Sequence, residues 1–188
     1  MKLTYLRCLA ASVLVVGCGK LGTQKSAASE QKSIASQPSS ENRVLNFHTV
    51  HPFLFRSGDI DPTDFPALKA KGIQTVLSLE DEGGQASLAD AERAVAAQFG
   101  MKFVWQPMSN TDQPTLQQIN KALETIVNPA NRPVLVHCKH GSDRTGIVIA
   151  AYRIKYDHWT MAQAVTEMRQ YGHFSGLFWW DSILTQIQ

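Results

Sequence analysis

The residues of this sequence best suited to chemistry lie in one short stretch between two apolar runs. This stretch reads HCKHGSDRTG over residues 137–146, so that a cysteine is followed six positions later by an arginine. As a thiolate, Cys138 can act as a nucleophile, and the planar, permanently charged guanidinium of Arg144 can bind two oxygens of a phosphoryl group. The spacing therefore predicts attack of sulfur on the phosphorus of a bound phosphate ester.

The flanking runs predict how this loop is positioned. Residues 133–136 are apolar and predict a short buried strand, and residues 147–152 predict a buried helix. A loop that joins such a strand to a helix directs backbone N–H groups and the helix N-terminus at one point. That point favours a dianion such as phosphate, and its positive potential can lower the pKa of Cys138.

Other residues of the stretch have predicted supporting roles. The Thr145 hydroxyl can donate to the sulfur and stabilise the thiolate. Gly141 and Gly146 permit backbone conformations and close approaches that a Cβ would obstruct. His137 can hydrogen-bond around the loop and hold its shape. The residues expected to bind the substrate are Lys139, His140, Gly141, Ser142, Asp143 and Thr145.

The Cys-x5-Arg spacing from Cys138 to Arg144 resembles the signature of the cysteine-dependent protein tyrosine phosphatase superfamily. The segment FRSG at residues 55–58 and the compact size resemble its dual-specificity branch, in particular small bacterial members and the atypical plant and fungal type. The resemblance covers residues 44–188. It implies a phosphomonoester hydrolase that forms a cysteinyl-phosphate intermediate and needs no metal or other cofactor.

The resemblance leaves the substrate open between phosphotyrosine or phosphoserine/threonine proteins and inositol phosphates. Lys139 and His140 add positive charge at the predicted pocket mouth, and similar basic positions occur in family members that act on inositol phosphates. The alternative is that these side chains only steer anions. A second class of function is also open, namely a catalytically silent, surface-tethered module that binds phosphorylated ligands. Cys138 favours the enzyme, because binding alone needs no nucleophile.

Two aspartates are candidates for the general acid that protonates the leaving oxygen. In the family an aspartate on a loop before the nucleophile has this role, and the resemblance implies Asp112, which follows a predicted strand at residues 101–106. Asp112 can also be an N-cap for a helix that begins near Pro114, and the two roles are compatible. Asp143 is the rival, because the Asp-Arg-Thr triplet resembles loops of some phosphoinositide phosphatases. We rank Asp112 first.

The sequence does not support three other kinds of site. His137, Cys138 and His140 lack the second pair of ligands expected at a zinc site, so we predict no metal. The two glycines of the loop have the spacing of a nucleotide P-loop, but Ile147 stands where that motif requires lysine. The formal net charge of +2 predicts no nucleic-acid partner.

Alternating strand and helix patterns predict an α/β fold. Predicted strands cover residues 44–50, 52–57, 73–79, 101–106 and 133–137, and predicted helices cover residues 62–71, 87–99, 114–127, 144–156, 161–171 and 177–187. This order predicts a three-layer sandwich with a mainly parallel central sheet flanked by helices. Ligands bind beyond the carboxyl ends of the strands in such sheets, and Cys138 follows one of these ends.

Aromatic residues cluster near the end of the sequence: Trp159, Phe174, Phe178, Trp179 and Trp180. Helical spacing favours packing of these rings in the core, and stacking on a substrate is the alternative. The neighbouring Arg169 and His173 are candidates to reach the pocket.

The amino-terminal residues predict export and a lipid anchor. A basic start is followed by a short apolar run at residues 8–16, which is too short to span a bilayer as a stable helix. Cys18 comes next in a pattern that resembles the bacterial lipoprotein box, the alternative being an ordinary signal peptide cleaved nearby. Because Gly19 rather than aspartate follows, the pattern favours the outer membrane, facing the periplasm. The predicted parts are a signal peptide at residues 1–17, a flexible tether at 18–43 and a phosphatase domain at 44–188.

This predicted organisation determines the chemical state of each cysteine. Cys8 lies in the predicted signal peptide and Cys18 is expected to be acylated, so Cys138 is the only free thiol expected in the mature protein. An intramolecular disulfide is then impossible, although the predicted compartment would permit one. The expected partners are a phosphorylated substrate and, through the lipid, the membrane, and we expect a monomer.

Overall fold

The computed structural model of the protein describes residues 44–81 and 86–187. The predicted signal peptide at residues 1–17 and tether at residues 18–43, with Cys18, lie outside these residues and stay predictions. No helix in the described part of the chain is both long enough and apolar enough to cross a membrane.

The described residues form a five-stranded sheet. Its strands are β1 (His48–His51), β2 (Leu54–Ser57), β3 (Thr75–Ser78), β4 (Lys102–Trp105) and β5 (Val134–His137). The strands lie in the order β1-β2-β5-β3-β4. β1 is antiparallel to β2, and every other neighbouring pair is parallel. The predicted mainly parallel sheet is therefore confirmed, and the strand before Cys138 lies at its centre.

Helices cover both faces of this sheet. They are α1 (Phe65–Ala70), α2 (Ala86–Gln98), α3 (Leu116–Val127), α4 (Asp143–Tyr156) and α5 (Met161–Gln170). Val134 and Val136 of β5 pack with side chains of α3 and α4, whereas Leu135 packs on the other face with side chains of α1 and α2. The three layers predicted from the sequence are confirmed. Burial on both faces also explains why residues 133–136 form a continuous apolar run.

The end of the chain differs from the sequence-based prediction. The α-helix predicted at residues 177–187 is wrong, because two 3₁₀ turns, Ser175–Leu177 and Trp180–Gln186, occupy this part of the chain. Gln113 Nε2 donates to the carbonyls of Trp179 and Trp180, at 2.7 and 3.2 Å, and so competes for groups that an α-helix would bond internally.

Burial of the late aromatic residues also differs from the prediction. Core packing is confirmed for Trp180, which is 0% exposed. The prediction is wrong for Phe174, Phe178 and Trp179, which are 63%, 70% and 46% exposed. These three rings therefore form surface rather than core.

Candidate active site

Cys138 lies at the carboxyl end of the central strand. β5 ends at His137 and α4 begins at Asp143, so residues 138–142 form a short connection that we call the nucleophile loop. Cys138 itself is only 2% exposed. Because β2 and β3 run parallel to β5 on either side, the ends of three strands surround this loop.

The segment after β2 packs directly against the nucleophile loop. Gly141 has a φ of +70°, and a Cβ added there would lie 2.5 Å from both Gly58 N and Ser57 C. The predicted need for glycine at this position is therefore confirmed by conformation and by space. Gly146 is different, since a Cβ there would lie 3.6 Å from Met168 Cγ, an ordinary contact. Space does not require a glycine at Gly146.

We expect Gly141→Ala to lower the free energy of unfolding by about 2–4 kcal/mol, because the left-handed backbone and the overlap with β2 both cost energy. Gly72→Ala is the matched control. Gly72 has a similar φ of +82° but no neighbouring atom within 4 Å of an added Cβ. That variant should lose only about 1 kcal/mol. Urea denaturation measures the free energy of unfolding of both variants. Equal losses would contradict a steric role for the contact between Gly141 and the end of β2.

Sequence reasoning used Arg56 only as part of the FRSG segment and predicted no role for it, whereas the structure shows it next to the nucleophile loop. It is 1% exposed, and its Nη2 donates to the carbonyl oxygen of Gly141 at 2.6 Å. Its guanidinium also lies 4.3 Å from the centre of the Tyr171 ring. Burial lowers the pKa of Arg56 to about 10, although Coulombic attraction to Glu167, Tyr171 and Cys138 acts against this shift. The sequence signal for this role was an arginine within the short strand predicted at residues 52–57.

Arg144 connects the nucleophile loop to two neighbouring strand ends. It is 8% exposed, and its Nη1 makes long hydrogen bonds to the carbonyls of Leu79 and Met108, at 3.5 and 3.4 Å. Thr145 follows it in the first turn of α4. The Thr145 hydroxyl is buried without a hydrogen-bond partner among the described residues. The predicted bond to Cys138 Sγ is therefore absent here, and the hydroxyl keeps its donor available for the sulfur.

Asp112 lies on the connection between β4 and α3, which we call the acid loop (residues 106–115). Its side chain is exposed and accepts a hydrogen bond from Ser109 Oγ at 2.9 Å. The N-cap interpretation is wrong, because Thr115 caps α3 and accepts from the backbone N–H of Gln118. Arg144 donates to the carbonyl of Met108 within this loop, so the acid loop contacts the first turn of α4, which directly follows the nucleophile loop.

The rival Asp143 is held by neighbouring groups in the first turn of α4. Its carboxylate accepts from the backbone N–H of Phe174 at 2.9 Å and from Ser142 Oγ at 3.2 Å, and it lies 3.0 Å from His173 Nδ1. Burial raises the pKa of Asp143, but the interactions with His173, Phe174 and Ser142 outweigh it and leave this pKa below its usual value. A carboxyl in this state is ionised near neutral pH and has no proton to donate.

The lowered pKa of Asp143 predicts a pH-dependent contribution to stability. Because the pKa is lower in the folded than in the unfolded state, the contribution is complete above the unfolded value and is lost as pH falls through the folded value. We expect Asp143→Asn to be less stable than the wild type at neutral pH, with a difference that shrinks below about pH 4. Urea denaturation across this pH range measures the difference in the free energy of unfolding. A difference that does not change with pH would contradict an ionised Asp143 in the folded protein.

The remaining residues of the stretch contact carboxylates or lie at the surface. Lys139 forms an ion pair with Asp59 after β2. His140 is exposed, and its carbonyl accepts a hydrogen bond from Asn46 Nδ2 at 3.2 Å. His137 does not reach around the loop as expected, because its Nε2 lies 3.0 Å from Glu92 Oε1 on α2.

A cysteine in a tight loop between the central parallel strand and a helix, with Arg144 in the first turn of that helix, defines a phosphatase-type site. The comparison with known families agrees with this class. The chain belongs to the tyrosine phosphatase family, whose model matches residues 43–177.

Relatives of the chain include phosphatases named for different substrates. Inositol diphosphatase DSP1 of Oryza sativa subsp. japonica is 31% identical over 130 residues, which are 68% of this chain but only 57% of that protein. Dual specificity protein phosphatase TpbA of Pseudomonas aeruginosa is 29% identical over 175 residues, or 90% of this chain and 74% of that protein. The chain thus spans less than two thirds of the plant relative.

A solved structure has the same fold. The crystal structure of the core catalytic domain of the PP-IP phosphatase SIW14 from S. cerevisiae, in complex with citrate, matches with a TM-score of 0.62 and 26% identity. The match covers 76% of this chain and 85% of that chain. The fold of this chain is therefore similar to that of a phosphatase catalytic core.

Proposed function

We propose that this chain is a phosphomonoester hydrolase that forms a cysteinyl-phosphate intermediate at Cys138. The observation that carries the proposal is the buried Cys138 at the carboxyl end of β5, in a loop that leads directly into the first turn of α4. Ligands bind at this edge of parallel sheets, and a helix N-terminus favours phosphate. The activities of the relatives support a phosphorylated protein or an inositol phosphate as the substrate.

In the first proposed step, the Cys138 thiolate attacks phosphorus. An S–P bond forms while the bond from phosphorus to the leaving oxygen breaks, and Asp112 gives its proton to that oxygen. Arg144 and the N–H groups of the nucleophile loop hold the other three oxygens, whose charge must be stabilised during transfer.

In the second proposed step, water hydrolyses the intermediate. Asp112, now a carboxylate, accepts a proton from the water while the water oxygen attacks phosphorus and the S–P bond breaks. Inorganic phosphate leaves, and the Cys138 thiolate and protonated Asp112 are restored. Because the nucleophile, the acid and the phosphate-binding groups all come from the chain, the proposed reaction balances without a metal ion.

The contacts of the two aspartates support Asp112 as the acid. The Asp112 carboxyl is exposed on a loop that Arg144 contacts, which supports a role at the entrance for the substrate. Asp143 instead accepts hydrogen bonds from Phe174 and Ser142 that stabilise its ionised form.

The experiment for the proposed function is a measurement of inorganic phosphate released from a phosphotyrosine peptide, a phosphoserine peptide and an inositol polyphosphate. We expect release from at least one of them, unchanged when a chelator is added. Binding of all three without release would contradict the enzyme and favour the silent phospho-ligand-binding module.

We also propose that the mature protein is a monomer held at the cell envelope by a lipid on Cys18, at the outer membrane and facing the periplasm. The support is in the sequence, where Gly17-Cys18 directly follows the short apolar run and Gly19 comes next.

We expect Cys18→Ala to move the protein from the membrane fraction to the soluble fraction and to abolish incorporation of labelled fatty acid. The physical reason is that an acyl chain contributes about 0.8 kcal/mol per buried CH₂ to membrane binding. Cell fractionation and labelling measure the effect. Cys138→Ala is the matched control, since it removes the other cysteine of the predicted mature chain and should leave the label in place.

A further inference from the structure

Three exposed aromatic side chains lie together on the segment after α5. Phe174, Phe178 and Trp179, which we call the aromatic rim, are 63%, 70% and 46% exposed. The rings of Phe178 and Trp179 contact each other edge to face, with their centres 5.5 Å apart. Aromatic rings contribute large apolar areas to binding when they are covered, and grouped exposure of this kind marks a contact surface.

One end of the aromatic rim is hydrogen-bonded to the first turn of α4. The backbone N–H of Phe174 donates to Asp143 Oδ1 at 2.9 Å, and Asp143 directly precedes Arg144. His173, next to Phe174, strengthens this attachment, because its ring lies 3.0 Å from Asp143 and 3.1 Å from Asp181. The rim therefore begins next to the phosphate-binding arginine.

The other end is attached to the acid loop. Gln113 Nε2 donates to the Trp179 carbonyl at 2.7 Å and to Ser182 Oγ at 3.0 Å. Gln113 directly follows Asp112, the proposed acid. The rim thus extends from the first turn of α4 to the acid loop. We expect the leaving group of a substrate bound between Cys138 and Asp112 to lie beside it.

Two cationic side chains near the site are paired with carboxylates. Lys139 is paired with Asp59, and Arg169 lies 3.5 Å from Asp181. Asp112 is exposed, and Asp143 keeps 27% of its side chain exposed. A ligand that carries several phosphates would bring additional negative charge towards these carboxylates, whereas a protein with one phosphorylated side chain brings a single dianion.

We propose that Phe174, Phe178 and Trp179 are specificity-determining residues that contact the aromatic ring of phosphotyrosine and apolar residues beside it in a protein substrate. This inference rests on the proposed function and names its substrate class. Phosphorus is bound at Cys138 and Arg144, and the leaving tyrosine lies against the rim. Inositol polyphosphates, which have no apolar ring to cover these side chains, are poor substrates.

The test compares the wild type with a Phe178→Ala/Trp179→Ala variant on four substrates. These are a phosphotyrosine peptide, the same peptide with phosphoserine, an inositol polyphosphate and glycerol phosphate. We expect the wild type to prefer the phosphotyrosine peptide, and the variant to lose on the order of tenfold to 100-fold in kcat/KM on that peptide, mainly through KM. Activity on glycerol phosphate, whose leaving group has no aromatic ring to pack on the rim, should stay within about twofold.

Tyr156→Ala is the matched control. Tyr156 is an exposed aromatic residue at the far end of α4, 39% exposed and, at about 1.5 Å per residue, roughly 20 Å from the first turn. This variant should keep the wild-type activity on all four substrates. An equal loss on every substrate in the rim variant would show a structural role and overturn the inference.

A second measurement does not depend on truncating the rim. In Cys138→Ser, binding of the phosphotyrosine peptide should change tryptophan fluorescence, and Trp179→Phe in the same background should remove most of this change. An unchanged signal on binding overturns the inference. A wild type that prefers the inositol polyphosphate also overturns it but leaves the proposed function intact, whereas no phosphate release from any substrate overturns the proposed function itself.

Discussion

Cys138→Ser abolishes phosphate release, with a loss in kcat on the order of 10⁴-fold or more, as expected when a covalent nucleophile is removed. Serine has a hydroxyl that stays protonated at neutral pH, and so it cannot replace a thiolate in attack on phosphorus. The phosphate-binding groups remain, because Arg144 and the backbone N–H groups of the nucleophile loop are unchanged. Inorganic phosphate should therefore bind to the variant with a dissociation constant within several-fold of the wild-type value.

Two measurements on purified protein check this result. Single-turnover assays measure chemistry, and calorimetric titration with inorganic phosphate measures binding. Arg144→Lys is the informative comparison, because it keeps the charge but loses the bidentate geometry and should weaken binding as well as turnover. Turnover by Cys138→Ser within about 100-fold of the wild type would contradict a cysteinyl-phosphate intermediate.

Asp112→Asn lowers kcat by about 100-fold or more on substrates with a poor leaving group, which is the range for loss of a general acid. An alkyl phosphate needs a proton on its leaving oxygen, whereas a nitrophenolate leaves without one. The loss should therefore be much smaller on nitrophenyl phosphate.

Asp143→Asn is the matched control for this prediction, because it removes the other candidate carboxylate. We expect a loss of less than about tenfold in kcat, since a carboxylate that hydrogen bonds hold in its ionised form has no proton to give. Circular dichroism must show that both variants are folded. A larger loss for Asp143→Asn than for Asp112→Asn would transfer the acid role to Asp143.

The central chemistry was predictable because it is local in the sequence. The spacing from Cys138 to Arg144 is set by a single strand–loop–helix unit, so few residues specify it. The mainly parallel sheet was also predictable, because strands buried on both faces are continuous apolar runs. The alternative in which Asp112 caps α3 is wrong, because Asp112 and Thr115 are both good capping residues and only the backbone conformation shows which one begins the helix.

The sequence by itself determined the fold class, the thiol at the end of the central strand and the arginine that accompanies it. Only the tertiary structure decided which distant groups support and surround them. Arg56 reaches Gly141 because β2 lies next to β5, although 85 positions separate the two residues. The rings of Phe178 and Trp179 are exposed beside the acid loop because Gln113 holds the Trp179 carbonyl. Contacts of this kind depend on strand order and loop packing, which the local pattern of side chains does not encode.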